Sequence, residues 1–240
     1  MDNAGAGHFC LSASDSPCGV AASNHRASMV YGGGAVRRTR PAARRTTLTT
    51  SPESLLAQLR AATSALHGQL DAALGLQDER ITRESYAAFL RGSLAALAPL
   101  EVQLRPWLPA DEPPRCDLLR SDLLALGVAA DVPALPDVPP IDSPGAAWGA
   151  RYVIEGSALG GVVLARAFDA RLGLRGEAVR YLTLHGAGLA QRWRSFLIDL
   201  EEFGKTATAV VRSDACETAK AVFNLYSAGL RSSEAIAART

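Results

Sequence analysis

The stretch that decides the fold is Arg151–Phe168, "RYVIEGSALGGVVLARAF". Apolar residues on its flanks recur at helical spacing, so a helix is expected. Gly156, Gly160 and Gly161 nevertheless sit in its middle, where each glycine costs up to about 1 kcal/mol relative to alanine. One explanation is packing, because Gly149, Val153, Gly156 and Gly160 share a face on which small residues admit a neighbouring helix closely. Another is that a flat ligand lies against bare backbone, an approach that only glycine permits. The residues of this stretch leave both open.

Upstream, Ser143 as N-cap and Pro144 at the first helical position mark where this helix starts. Before it, "GVAADVPALPDVPPIDS" (127–143) contains four prolines and almost no periodicity, which predicts an extended connection. Earlier still, "SPESLLAQLRAATSALHGQLDAAL" (51–74) opens with Ser51, Pro52 and Glu53 and carries Leu55, Leu59, Ala62, Leu66, Leu70 and Ala73 at three- and four-residue intervals. That pattern predicts an amphipathic helix. Further helices are expected from Thr82 past Pro99 towards Trp107, with a kink at the proline, and over Cys116–Leu126. Downstream, one is expected over about Glu177–Phe203, interrupted near Gly186 and Gly188, and a last one over Thr206–Leu230 with Val210, Val211, Ala219, Val222, Phe223, Tyr226 and Leu230. The expectation is an all-α, single-domain multi-helix bundle of about six to eight helices spanning residues 51–232.

The ends read differently. Residues 1–50 lack sustained hydrophobic period and are rich in Gly, Ser, Ala and Arg, a composition that cannot bury enough apolar surface to offset its ordering entropy. They are expected to be a disordered extension, either dispensable or an organellar transit peptide. Residues 233–240 are expected to be a flexible tail. The leader carries six arginines against two acids, a charge of +4, while the remainder carries −3. A mildly acidic folded part argues against nucleic acid as partner. No apolar run reaches the roughly 18 residues that a membrane span needs, and four scattered cysteines, Cys10, Cys18, Cys116 and Cys216, form no CxxC pair. A reducing, cytoplasmic setting fits.

His67 is the only histidine on the first helix, next to Leu66 of the apolar stripe, with Arg60, Thr63 and Asp71 on the same side. An imidazole there serves equally as a half-buried hydrogen-bonding group or as a single axial ligand to haem iron.

"LRAATSALHGQLD" followed about ninety residues later by "YVIEGSALGG", with "AKAVFNLY" near the end, resembles the haem oxygenases, in particular the bacterial type found with bacteriophytochromes. The resemblance covers roughly Ser54–Leu230. It implies haem b held between a proximal and a distal helix, with His67 as the iron ligand. Gly156 and Gly160 would then be the distal glycines against haem and bound oxygen, Gly161 would continue that face, and Thr63 would line the proximal side. Arg60, and with it Arg151, would approach the haem propionates, where arginine forms a charge-assisted pair. Phe223 would stand at the pocket wall. Ser157 occupies the position at which animal-type enzymes carry an aspartate, as the bacterial "EGSxLGG" pattern also does.

The activity implied is cleavage of haem to biliverdin, CO and ferrous iron, using O2 and electrons from an external reductase or ferredoxin. The product would supply a bacteriophytochrome, or the iron would be recovered. A non-enzymatic haem carrier or sensor, a helical interaction module without haem, and a relative of the same fold with other chemistry remain as alternatives.

Overall fold

The computed structural model describes residues 54–74 and 81–237. Among them the regular elements are α1 (Leu55–Leu74), α2 (Arg83–Leu104), α3 (Arg115–Ala125), α4 (Pro144–Leu172), α5 (Leu189–Thr206) and α6 (Ala209–Ala237), with 3-10 turns at Arg105–Trp107 and Gly186–Gly188. The described residues contain no strand, and the architecture is all-α. The extension 1–50, the start signals Ser51, Pro52 and Glu53, and residues 238–240 lie outside the described residues. The first described residue, Ser54, caps α1 by accepting the Ala57 N–H at 3.1 Å.

The bundle is organised around α6, which packs against α1, α2 and α4. It buries Ala215, Ala219, Val222, Phe223, Leu225, Tyr226 and Leu230. Glycines bring the neighbouring helices to backbone contact. A Cβ on Gly92 of α2 would stand 2.9 Å from the Gly229 carbonyl of α6, and Gly149 of α4 lies directly on the Ala215 carbonyl. At the other end α1 buries Leu55 and Leu59 completely, and Gly204 of α5 makes room for Leu55. Both α1 and α4 therefore lean on α6, while little direct packing joins α1 to α4.

Local signals explain the length of α4. Ser143 is its N-cap, accepting the Ala146 N–H at 3.0 Å and donating its own proton to the Asp214 carboxylate of α6. Asp214 also accepts the Ala146 N–H, at 3.0 Å. Left-handed Gly173, at φ 64°, ends the helix. Between these caps 29 residues stay helical through Gly156, Gly160 and Gly161. Burial of Tyr152, Val153 and Ile154 before them, and of Leu164, Ala165 and Phe168 after them, outweighs the local propensity.

Three expectations need correction. The helix expected from Glu177 is absent up to 188, where residues 173–188 form turns and α5 begins only at Leu189. Arg175, Gly176, Ala178 and Gly186 have φ of 53°, 78°, 59° and 46°, which no α-helix accommodates. Side chains hold this segment instead: Tyr86 donates to the Ala178 carbonyl at 2.5 Å, and the Asp122 carboxylate accepts the N–H groups of Arg180 and Tyr181 at 3.1 and 2.9 Å. Val210, expected on an apolar stripe, is 78% exposed in the first turn of α6. The tail expected from residue 233 is helical as far as Ala237, and Ser233 is buried. Elsewhere α2 stays helical through Pro99 and tightens into the 3-10 turn after Leu104.

Candidate functional site

On α1, His67 is half-buried, and its Nδ1 lies 2.9 Å from the Asp71 carboxylate one helical turn on. A hydrogen bond to an acid at Nδ1 places the proton there and leaves Nε2 with a free lone pair. Burial raises the Asp71 carboxyl above the usual range, an effect that His67 partly offsets. Phe223 of α6 meets the imidazole edge-on, with ring centroids 5.9 Å apart and planes at 66°. One turn before His67, Thr63 is buried and donates to the Leu59 carbonyl at 2.8 Å. Arg60, a further turn back by sequence, is exposed.

On α4 the expected residues divide. Gly156 is buried and Gly160 half-buried, one turn apart along a single face. Ser157 is exposed, but its hydroxyl donates to the Ile154 carbonyl at 2.8 Å. The same hydroxyl also interacts with the Tyr181 side chain. The expectation for Gly161 is corrected. A Cβ there would meet the Leu182 carbonyl at 3.0 Å, so this glycine seats α4 on the 173–188 segment.

The expectation for Arg151 is corrected as well. Its guanidinium stacks over Trp148 at 4.6 Å and Phe196 at 5.5 Å, and its Nε is buried without a hydrogen-bond partner among the described residues. It lines a cavity of about 720 Å³ whose walls come from α2, residues 105–115 and α4, with nothing from α1. Burial foremost lowers its pKa, with Arg192 adding to the effect. Tyr152, its neighbour in sequence, takes the orientation expected of it. Tyr152 is 6% exposed, and its hydroxyl, raised in pKa chiefly by burial, faces Thr63 and Arg60 of α1. The signal for Tyr152 was present, since it stands four residues before Gly156 on the same helical face.

Behind Gly156 lies a group that spacing could not reveal. Glu155 is 4% exposed and its carboxylate accepts from Arg192 Nε at 2.8 Å, from Arg192 NH2 at 2.6 Å and from Arg115 NH2 at 3.2 Å. The same two arginines reach Glu112, at 2.6 and 3.0 Å. Burial by itself would raise the Glu155 carboxyl, yet the Arg192 hydrogen bond and the charges of Arg115 and Arg192 hold it below the usual range. Arg192 is raised in turn, first by that hydrogen bond. His185 stands against this cluster with Nε2 buried and unpartnered among the described residues, its pKa lowered by burial and by the two arginines. The four charges come from α3, its preceding loop, α4 and α5, so no single stretch of sequence announces them.

Two groups thus stand on helices that both pack against α6: His67, Asp71 and Thr63 on α1, and Tyr152, Gly156 and Gly160 on α4, with the Tyr152 hydroxyl reaching Thr63. Among the described residues no group of three or more His, Cys, Asp or Glu could hold a metal ion, and no helix is long and apolar enough to cross a membrane.

No family model matches the sequence. The chain is 38% identical over 149 residues to a heme oxygenase of Xanthomonas campestris pv. campestris (strain 8004), across 60% of this chain and 87% of the relative. Its fold is similar to that of the heme oxygenase from Neisseria meningitidis in crystal structures with NO and CO bound. That likeness has a TM-score of 0.59 at 22% identity and covers 75% of this chain and 92% of the other. All-helical architecture and this identity over most of the relative's length lead to one assignment: the chain belongs to the heme oxygenase family.

Proposed function

We propose that the protein is a haem oxygenase in activity, opening haem to biliverdin with release of CO and ferrous iron, using O2 and electrons from an external reductant. The observation that carries this reading is His67, tied at Nδ1 to Asp71, on a helix that packs against α6 as the glycine-bearing α4 does, with little direct packing between the two.

The residues fit haem b. A single neutral imidazole suffices for the iron, and the Asp71 contact leaves His67 Nε2 free to supply it. Once bound, haem would furnish both the iron that activates O2 and the macrocycle that is cut. Gly156 and Gly160 would keep side chains out of the space above it. Ser157, its proton held by Ile154, would accept a hydrogen bond from an ordered water. Arg60 would pair with a propionate, with Tyr152 beside it. Thr63 and Phe223 would shape the His67 side of the slot.

The reading includes electron delivery by a reductase or ferredoxin, a cytoplasmic location, and biliverdin passed to a bacteriophytochrome or iron recovered. The location rests on four scattered cysteines without a CxxC pair, and the electron donor and product fate on the resemblance of "EGSALGG" to the bacterial form. The test is optical. Protein mixed with hemin and ascorbate in air should lose its Soret band and yield biliverdin identified by mass. A Soret band that persists under those conditions would favour a haem carrier, and failure of hemin to give one would favour a packing module.

A further inference from the structure

We propose that Glu155 is a positioning residue, which through Arg192 and Arg115 holds the glycine-weakened turn of α4 at a fixed place opposite α1; its bearing on catalysis rests on the haem oxygenase reading. The need follows from Gly156, Gly160 and Gly161, which together remove side-chain interlock over little more than one turn and weaken the helix locally. A helix softened in this way keeps its position only if it is gripped on both sides. Below the soft turn the grip is Gly161 on the Leu182 carbonyl, followed by Phe168 stacked on Tyr86 with centroids 4.1 Å apart. Above it the grip is Glu155, the residue immediately before Gly156.

The Glu155 contact suits positioning. The Arg192 guanidinium engages it with two nitrogens, at 2.8 and 2.6 Å, and the second of these also reaches Glu112 at 2.6 Å. Such a fork fixes direction as well as distance, which a lysine ammonium does not. Arg115 adds a contact from α3, so the carboxylate is located from two independent elements. Two carboxylates and two guanidinium groups balance in charge, and the adjoining cavity reaches Glu112, Arg115 and Glu155. Arg192, partly exposed, keeps part of its hydration, which lowers the desolvation cost of the cluster. Gly156 and Ser157 follow in the next positions of the helix, so a displacement of Glu155 is carried directly into the glycine turn.

The test compares the parent with Glu155→Gln, Arg192→Gln and Arg192→Lys. Arg192 is 31% exposed, so its variants do not depend on repacking a core. In the protein without haem, followed by hydrogen exchange and mass spectrometry, all three should speed amide exchange in peptides covering 156–161, while peptides of α2 and α6 keep the parent rates. With hemin and reductant, kcat should fall by roughly 10- to 100-fold, as for a small misplacement of reacting groups, with KM for hemin unchanged. Arg192→Lys should recover only part of the loss, because it restores charge without the fork. Exchange that is unchanged at 156–161, or faster everywhere alike, overturns the proposal, as does full recovery by lysine. A parent protein that never turns over haem would instead defeat the activity reading, leaving the exchange result to decide the positioning of α4.

Discussion

The Nδ1 atom of His67 lies 2.9 Å from the Asp71 carboxylate, within one turn of α1. This is the arrangement in which a carboxylate fixes both the tautomer and the ring orientation of a ligating imidazole. Asp71→Ala should therefore weaken hemin binding by on the order of 10-fold, read from a Soret titration. His67→Ala should abolish the ligand signature outright. Equal hemin affinity for Asp71→Ala and the parent would detach Asp71 from the site.

Arg60 and Arg151 separate cleanly. If Arg60 pairs with a propionate at the exposed edge, Arg60→Ala should cost about 0.2–1 kcal/mol of hemin binding, the range of an exposed ion pair, and less as salt rises. Arg151 stacks on Trp148 and Phe196, so Arg151→Ala should lower the melting temperature and leave hemin affinity at the parent value. The reverse pattern in the two titrations would restore Arg151 to the haem edge.

Two glycine substitutions should move stability in opposite directions. A Cβ at Gly149 runs into the Ala215 carbonyl, which is backbone and cannot turn aside, whereas one at Gly68 meets nothing within 4 Å. Gly149→Ala should cost about 1–3 kcal/mol or more, and Gly68→Ala should gain up to about 1 kcal/mol in the absence of haem. Urea titrations would read both, and a neutral Gly149→Ala would mean that α4 and α6 are less closely seated.

Glu155 should leave a mark on acid stability. Its carboxyl lies below the ordinary value in the folded chain despite burial. Its contribution is therefore present above the unfolded pKa of about 4.3 and is lost as pH falls through the lower folded value. Glu112, Arg115, Arg151, Arg192 and His185 are the groups that face it. Parent and Glu155→Gln should differ most in urea midpoint above that range and converge in acid. Parallel curves throughout would show that Glu155 is not held in its charged form.

What the sequence disclosed and what it withheld follow from the range of the interactions. Helical period, Ser143–Pro144 and Thr82 are local, and α2 and α4 begin where these signals place them. His67, Gly156 and Gly160 could be matched by order and separation. Arg151 could not be oriented that way, because one residue along a helix rotates a side chain by about 100° and the stack with Phe196 of α5 is a tertiary fact. The same holds for Gly161, whose neighbour Leu182 belongs to a segment that looked helical until its left-handed residues were seen. The Glu112–Arg115–Glu155–Arg192 cluster joins positions up to 80 residues apart, beyond the reach of any pattern within one chain.

The turns at 173–188 have a consequence for the order in which the molecule assembles. They hold few of the repeating backbone bonds that let a helix form by itself, and they take two N–H partners from Asp122, 58 and 59 residues earlier. Loop closure of that length comes before its reward, so the segment settles only after α3 has docked. Leu182, against which Gly161 rests, arrives with it. The softest part of α4 is thus steadied late in folding, and weakening the distant Asp122 should delay the seating of the glycine turn more than it delays the helices.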